Sequence, residues 1–155
     1  MDSATAARLI ELDRDFYTHF GDAFSATRHR IQPGVRRVLE TLQGDESILD
    51  LGCGNGEFAR ELAKRGHRGA YLGVDFSLPL LRDAESSLGV EFREVDLTQL
   101  SADSGALTAP VAVLGGGDAA SIETSGGWGV VAMFATLHHI PSTGMRLDIL
   151  NAVRK

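Results

Sequence analysis

Residues 48–59 constrain the fold more than any other part of the chain. They read Ile-Leu-Asp-Leu-Gly-Cys-Gly-Asn-Gly-Glu-Phe-Ala, so an apolar strand runs into three alternating glycines and then into a helix. Because glycine has no Cβ, Gly52, Gly54 and Gly56 permit a tight turn and let a ligand lie against the main chain. The free N–H groups at the start of the following helix favour polar and anionic groups. This pattern predicts a nucleotide-binding turn.

Two later apolar stretches also end in a carboxylate. Residues 70–75 end at Asp75, and residues 90–96 end at Asp96. A carboxylate at the first position suits both hydroxyls of a ribose, and one at the second suits the exocyclic amine of adenine. Helical patterns alternate with these strands, which predicts an α/β fold with a mostly parallel sheet and helices on both faces. Ligands of such sheets bind at the carboxyl ends of the strands.

The first 45 residues are predicted to be helical. Apolar side chains recur there at helical spacing, namely Leu9, Leu12, Phe16 and Phe20. Gly21 predicts the end of this first helix, and a second helix is expected from Pro33 to Gly44. We therefore divide the chain into a helical lid or extension, residues 1–45, and a cofactor-binding core, residues 46–155.

The rest of the core is expected to hold one long connection, a fourth strand and a last helix. Residues 101–127 are rich in Gly, Ala, Ser and Thr, which is typical of a connection, with one possible short strand at 111–114. A buried fourth strand is predicted over 128–134 and a helix over 145–153.

Composition indicates one soluble domain. The 155 residues are 43% hydrophobic, and no N-terminal signal or long apolar span is evident, so we expect a cytoplasmic protein without a membrane segment. The single cysteine, Cys53, excludes an intramolecular disulfide and a cysteine pair for zinc, so no metal site is predicted. A net charge of −6 argues against broad, nonspecific binding of nucleic acid.

The ordered motifs resemble those of the class I S-adenosylmethionine-dependent methyltransferases over residues 47–150. The motifs are ILDLGCGNG, YLGVDFS, REVDLTQL and VVAMFATLHHIP. The glycine spacing differs from the Gly-x-Gly-x-x-Gly of dinucleotide-binding folds. The resemblance implies a Rossmann-like methyltransferase fold with S-adenosyl-L-methionine as cofactor.

The resemblance also implies which residues hold the cofactor. They are Asp50, Gly52, Gly54, Asn55, Gly56, Asp75, Phe76, Asp96, Leu97 and Phe134. Asp50 would hold the turn or the cofactor's amino group, and Asp75, expected at a partly exposed strand end, would bind the ribose. Asp96 and the Leu97 N–H would face the adenine. Two alternatives stay open, because Phe76 is also suited to core packing and Asp96 to capping a turn.

Methyl transfer from a sulfonium is an in-line displacement that needs alignment rather than a covalent residue. A general base helps when the acceptor carries a proton that must leave, and histidine suits that role near neutral pH. Phe134 matches a position near the sulfonium, and His138 and His139 follow it closely. These two histidines are the candidate bases; their alternative role is to shape the loop.

The N-terminal segment gives the one indication of a substrate. Residues 24–30 followed by Pro33 resemble the lead-in of wobble-uridine tRNA methyltransferases, although Ile31-Gln32-Pro33 stands where that family has Pro-Trp-Pro. The acceptor is therefore expected to be a small molecule or a tRNA base. Tyr17 and Arg28 are candidate substrate or lid residues.

The resembled family continues past the last helix into a Pro-Gly turn and three further strands, so we expect a C-terminally truncated core. Its fourth strand would then leave an open edge suited to a homodimer. A noncatalytic fragment that binds cofactor or assembles through this edge is the main alternative function. A nicotinamide-dependent oxidoreductase is a weaker alternative, disfavoured by the glycine spacing.

Overall fold

The computed structural model describes residues 1–27, 31–88, 92–100, 107, 112–113 and 127–153. The α-helices are α1 (Ser3–Thr27), α2 (Pro33–Thr41), α3 (Glu57–Lys64), α4 (Leu78–Leu88) and α5 (Thr143–Val153). The strands are β1 (Ile48–Leu51), β2 (Ala70–Asp75), β3 (Arg93–Glu94), β4 (Ala112–Val113) and β5 (Val130–Ala132). Two 3₁₀ helices span Leu97–Gln99 and Leu137–His139.

The strands form one mostly parallel sheet in the order β3-β2-β1-β5. The central strand β1 pairs in parallel with β2 and β5, and β2 pairs in parallel with β3. The short β4 pairs antiparallel with the start of β2, at Ala70 and Tyr71. The prediction of an α/β fold with a mostly parallel sheet is confirmed.

Each face of the sheet carries its own apolar core, as alternating side chains of a strand require. On one face, Ile48 and Tyr71 pack with residues of α2, α3 and α4. On the other, Leu49 and Leu72 pack with Ile149 of α5. Helices therefore cover both faces, and the carboxyl ends of the parallel strands stay together at one edge. No helix in the described part of the chain is long and apolar enough to cross a membrane.

Helix α1 differs from the prediction in two ways. It does not end at Gly21 but runs on to Thr27. A Cβ at Gly21 would lie 3.5 Å from the Pro79 Cβ and 3.6 Å from the Ser77 Oγ, so the glycine lies where α1 packs closely on the start of α4. A helix can contain glycine at a cost of about 1 kcal/mol, which such packing can offset.

The apolar stripe on α1 is also not its packed face. Its four side chains are 43–57% exposed, namely Leu9, Leu12, Phe16 and Phe20. The neighbouring face, with Ile10, Arg14 and Tyr17 at helical spacing, contributes to the cavity described below.

Candidate functional site

A cavity of about 270 Å³ lies at the carboxyl end of the sheet. Residues that follow β1, β2, β3 and β5 line it, and α1 closes one side. Among the lining residues are Gly52, Gly54, Asp75, Phe76, Asp96, Leu97, Phe134 and His139, with Asp13, Arg14 and Tyr17 from α1. Most of the predicted cofactor residues are thus brought together in one cavity.

The glycine turn is held against the sheet by the main chain. The N–H groups of Gly52 and Cys53 donate to the Val74 carbonyl, at 2.8 and 3.1 Å. Gly52 has φ +74°, and a Cβ there would lie 2.3 Å from the Thr136 Oγ1, which itself donates to the Leu51 carbonyl. Gly54 has φ +55°, and no described atom lies within 4 Å of where its Cβ would be. Gly52 therefore serves packing, whereas Gly54 leaves open space beside the backbone.

Asp75 fixes this turn from β2. Its Oδ2 accepts from the Gly54 N–H at 3.0 Å, and its Oδ1 accepts from the Ser77 N–H at 2.9 Å. The side chain is buried, not partly exposed as expected, because the turn folds over the strand end. Burial raises the pKa of this carboxyl, while the backbone N–H groups oppose that rise. Asp75 is therefore a structural acceptor as well as a candidate ribose ligand.

Asp50 lies deeper, under the turn. The Tyr71 hydroxyl donates to its Oδ2 at 2.7 Å, and both residues are buried. Burial raises the pKa of Asp50 to about 7, the Tyr71 hydrogen bond opposes this, and the charge of Asp75 adds to it. This placement fits the holding of the turn, one of the two roles expected for Asp50.

Asp96 makes two sets of contacts. Its Oδ1 accepts from the Thr98 N–H and hydroxyl, at 2.9 and 2.7 Å, so the carboxylate caps the 3₁₀ helix Leu97–Gln99. Its Oδ2 accepts from the Arg14 guanidinium of α1. Asp96 therefore caps a turn, as the alternative interpretation expected. Its Oδ2, which was expected to accept from the adenine amine, instead accepts from Arg14 of α1 in this structure.

Aromatic rings line two parts of the cavity. Phe76 makes an edge contact with Tyr17, with ring centroids 5.7 Å apart. Phe134 makes an edge contact with Phe58 of α3 at 5.0 Å. Tyr17, a candidate substrate or lid residue, thus lies in the cavity wall beside Phe76.

The two histidines differ in their surroundings. His139 Nδ1 lies 2.8 Å from the Asp13 Oδ2, and its Nε2 lies 3.5 Å from the Tyr17 hydroxyl. The ring of His138 lies 4.0 Å from that of His139 and is exposed. Both line the cavity, but only His139 contacts α1 through hydrogen-bonding groups among the described residues.

Two predicted cofactor residues lie outside the cavity wall. The buried Asn55 donates through Nδ2 to the Ser25 hydroxyl at 2.7 Å, and Ser25 donates to Asp83 of α4. Gly56 has φ +78° and precedes α3 as its N-cap. These residues connect the turn to α1, α3 and α4. Arg28 lies outside the described residues.

Sequence reasoning missed the α1 residues Asp13 and Arg14. The available signal was the spacing of Ile10, Asp13, Arg14 and Tyr17, which places them on one side of a helix. The cavity is rich in carboxylates, which suits a cationic ligand. Within the described residues, no group of three or more His, Cys, Asp or Glu is arranged to hold a metal ion.

One known family and several curated relatives are similar to part of this region. The family described as "Methyltransferase domain" matches residues 48–115. The 2-phytyl-1,4-naphtoquinone methyltransferase of Nostoc punctiforme is 32% identical over 88 residues, covering 56% of this chain and 38% of that enzyme. The enzyme of the same name from Trichormus variabilis is 31% identical over 88 residues, with the same coverage. The match thus spans well under half the length of these relatives.

Solved structures show the same fold. A DhpI–SAM–HEP complex aligns with a TM-score of 0.66 and 22% identity, covering 94% of this chain and 59% of that one. Magnesium protoporphyrin IX methyltransferase from Synechocystis PCC 6803 with bound SAM aligns with a TM-score of 0.57 and 17% identity, covering 93% and 70%. The Rossmann-like methyltransferase fold is confirmed.

Proposed function

We propose that this chain binds S-adenosylmethionine at the carboxyl end of its sheet and transfers the methyl group to a small-molecule acceptor. The proposal rests on one observation. Gly54 lines the cavity with open space beside its backbone, and its N–H donates to the Asp75 carboxylate. A glycine beside a fixed carboxylate allows a nucleoside to approach the main chain closely.

The charge of the cavity supports the same ligand. Asp13, Asp50, Asp75 and Asp96 all line it, with Arg14 as a cation paired to Asp96. A sulfonium and an ammonium group, both carried by S-adenosylmethionine, are attracted to such an acidic site. When bound, this ligand supplies an electrophilic methyl group; the protein's part is to hold it, orient the acceptor and exclude water.

Helix α1, within the proposed lid of residues 1–45, supplies the wall opposite the turn. It contacts the sheet side through Arg14 with Asp96 and through Tyr17 with Phe76. Ser25, near its end, connects it to Asn55 of the turn. We infer that α1 covers the bound cofactor and borders the acceptor.

A small molecule is the acceptor class that we favour. The relatives named above act on a naphthoquinone, and one structural neighbour acts on a porphyrin. A tRNA base is the second class, based on the lead-in sequence at residues 24–30, and the net charge of −6 disfavours it. A cytoplasmic location and a homodimer through the β5 edge remain parts of this proposal.

The first experiment is calorimetric titration of the chain with S-adenosylhomocysteine. Wild type should bind at one site, Asp75→Asn should bind at least tenfold more weakly, and the exposed Asp45→Asn should bind like wild type. Asparagine is preferable to alanine because it retains one acceptor for the two backbone N–H groups that Asp75 satisfies. Absence of binding by a folded wild-type chain would favour a noncatalytic fragment that assembles through its sheet edge.

A further inference from the structure

We propose that His139 is the proton acceptor of this site, that Asp13 is its positioning residue, and that the methyl acceptor is a neutral hydroxyl group. This inference rests on the proposed function and adds to it the chemical class of the acceptor and the assignment of the base.

The contact with Asp13 fixes which imidazole nitrogen is available. An ionised carboxylate only accepts hydrogen bonds, so His139 Nδ1, at 2.8 Å from the Asp13 Oδ2, carries the proton in this contact. In the neutral ring, Nε2 is then the basic nitrogen and acts as a hydrogen-bond acceptor. That nitrogen lies 3.5 Å from the Tyr17 hydroxyl in the cavity wall. The basic nitrogen therefore lies beside the hydroxyl of another cavity-lining residue, and the long contact between them leaves it able to accept a proton from a ligand.

The neighbouring histidine lacks this arrangement. His138 lines the same cavity, but its side chain has no hydrogen bond or ion pair with any described residue, and it is exposed. His139 is held from α1, and its side chain is 33% exposed. A general base acts efficiently when its ring orientation is fixed by a partner on the other nitrogen. The geometry therefore selects His139 from the two candidates.

The charges that face this ring disfavour an anionic acceptor. Asp13 approaches from α1 and Asp75 from β2, and the charge of Asp75 interacts with His139. Asp96, with Arg14, lies in the same cavity, as does His138. An anionic carboxylate acceptor would be repelled by these carboxylates and would have no proton to lose. A neutral hydroxyl avoids the repulsion and needs a base.

The step balances as follows. The acceptor hydroxyl gives its proton to His139 Nε2, and its oxygen forms a bond to the transferred methyl carbon. The bond between that carbon and sulfur breaks, and its electron pair stays on sulfur. The resulting imidazolium is stabilised by Asp13 and afterwards releases its proton to water.

The first test needs no acceptor. Nitrogen-15 NMR of the imidazole, on the chain with S-adenosylhomocysteine and above the ordinary titration range of histidine, reports which nitrogen carries hydrogen. We expect His139 to be protonated at Nδ1 in wild type and in the control Asp15→Asn, an exposed carboxylate on the same helix. Asp13→Asn should lose this preference. Protonation of His139 at Nε2 in wild type would overturn the inference.

The second test uses transfer of a labelled methyl group to two probes, 1,4-naphthohydroquinone and benzoate. His139→Gln should lower the rate with the hydroquinone about 10²-fold, and remove its rise with pH, whereas the exposed His19→Gln should leave both unchanged. Asp13→Asn should lower the rate about tenfold. An unchanged rate and pH profile in His139→Gln, or preferred transfer to benzoate, would overturn the inference. If neither probe is methylated, the inference stands or falls with the His139 tautomer measured by NMR.

Failure of the proposed function gives a different result. A chain that does not bind S-adenosylhomocysteine in the calorimeter refutes the proposed function directly. A chain that binds it but carries the other His139 tautomer refutes only the assignment of the base.

Discussion

Gly52 and Gly54 both have a positive φ angle, but for different reasons. Substituting each glycine with alanine should distinguish the two reasons. At Gly52 a Cβ meets the Thr136 hydroxyl, so Gly52→Ala combines left-handed strain with overpacking and should cost about 2–4 kcal/mol of unfolding free energy. At Gly54 the Cβ enters open space, so Gly54→Ala should cost about 1–2 kcal/mol of strain.

The loss of ligand affinity should not follow the loss of stability in these two variants. Gly54→Ala should remain folded yet bind S-adenosylhomocysteine at least tenfold more weakly, because its methyl group occupies the approach to the main chain. Urea unfolding and calorimetry on both proteins check this. Wild-type affinity in Gly54→Ala would show that the ligand does not approach this glycine.

The buried Asp50 makes stability depend on pH. Its folded-state pKa of about 7 lies above the ordinary value of 3.8, so the folded protein binds more protons between these two values. Stability therefore falls as pH rises from about 4 to about 7, by up to about 1.4 kcal/mol for each pH unit. The raised pKa of Asp75 acts in the same direction.

Asp50→Asn should flatten this dependence. The amide oxygen can still accept from the Tyr71 hydroxyl, but the charge that burial disfavours is gone. Unfolding by urea at several pH values across this window, on wild type and variant, measures the two slopes. Equal slopes would assign the pH dependence to other groups.

At the scale of elements, α1 is placed by close packing at Gly21. A Cβ there meets Pro79 and Ser77 at ordinary contact distances of 3.5 and 3.6 Å, so Gly21→Ala should be neutral or gain up to about 1 kcal/mol from helix propensity. Gly21→Leu has no such room, and overpacking should cost about 1–3 kcal/mol.

The larger side chain should also move α1 away from α4 and weaken ligand binding. Thermal unfolding and calorimetry with S-adenosylhomocysteine measure both effects on the two variants. If Gly21→Leu binds as tightly as Gly21→Ala, the position of α1 does not matter for the cofactor, and the lid proposal fails.

The elements show where sequence reasoning succeeds. β1, the glycine turn and α3 follow from local pattern, because an apolar run, alternating glycines and an amphipathic helix each leave a signature. The end of α1 does not, since Gly21 is a helix stop in isolation but a packing contact beside Pro79. Similarly, the apolar stripe on α1 could not reveal that a neighbouring, more polar face lines the cavity.

At the scale of the whole molecule, the site brings together residues that are far apart in sequence. Asp13 and His139 are 126 residues apart in sequence and meet through side chains. Arg14 and Asp96 are 82 residues apart. No motif spacing encodes such pairs, because they depend on how α1 lies across the sheet. Asp75 and Asp96 were predictable because each ends an apolar stretch of the sequence, whereas the α1 residues Asp13 and Arg14 were not.

Strand β5 lies at one edge of the sheet in the part of the chain that the structure describes. In the described part of the chain, β5 pairs only with β1, and the Val130 N–H donates to the Ser47 carbonyl at 2.9 Å. Because N–H groups alternate in direction along a strand, the Val131 N–H points away from β1. An edge with unpaired N–H groups is a template for pairing with another chain.

Amide hydrogen exchange, followed by NMR at two protein concentrations, tests the proposed homodimer without any substitution. If copies pair through β5, exchange at Val131 should slow as concentration rises, while Val130, already bonded within the sheet, should change little. Rapid exchange at Val131 at both concentrations would leave this edge unpaired in solution. Any dimer detected by light scattering would then use another surface, and the exposed stripe of α1 offers four large apolar side chains for it.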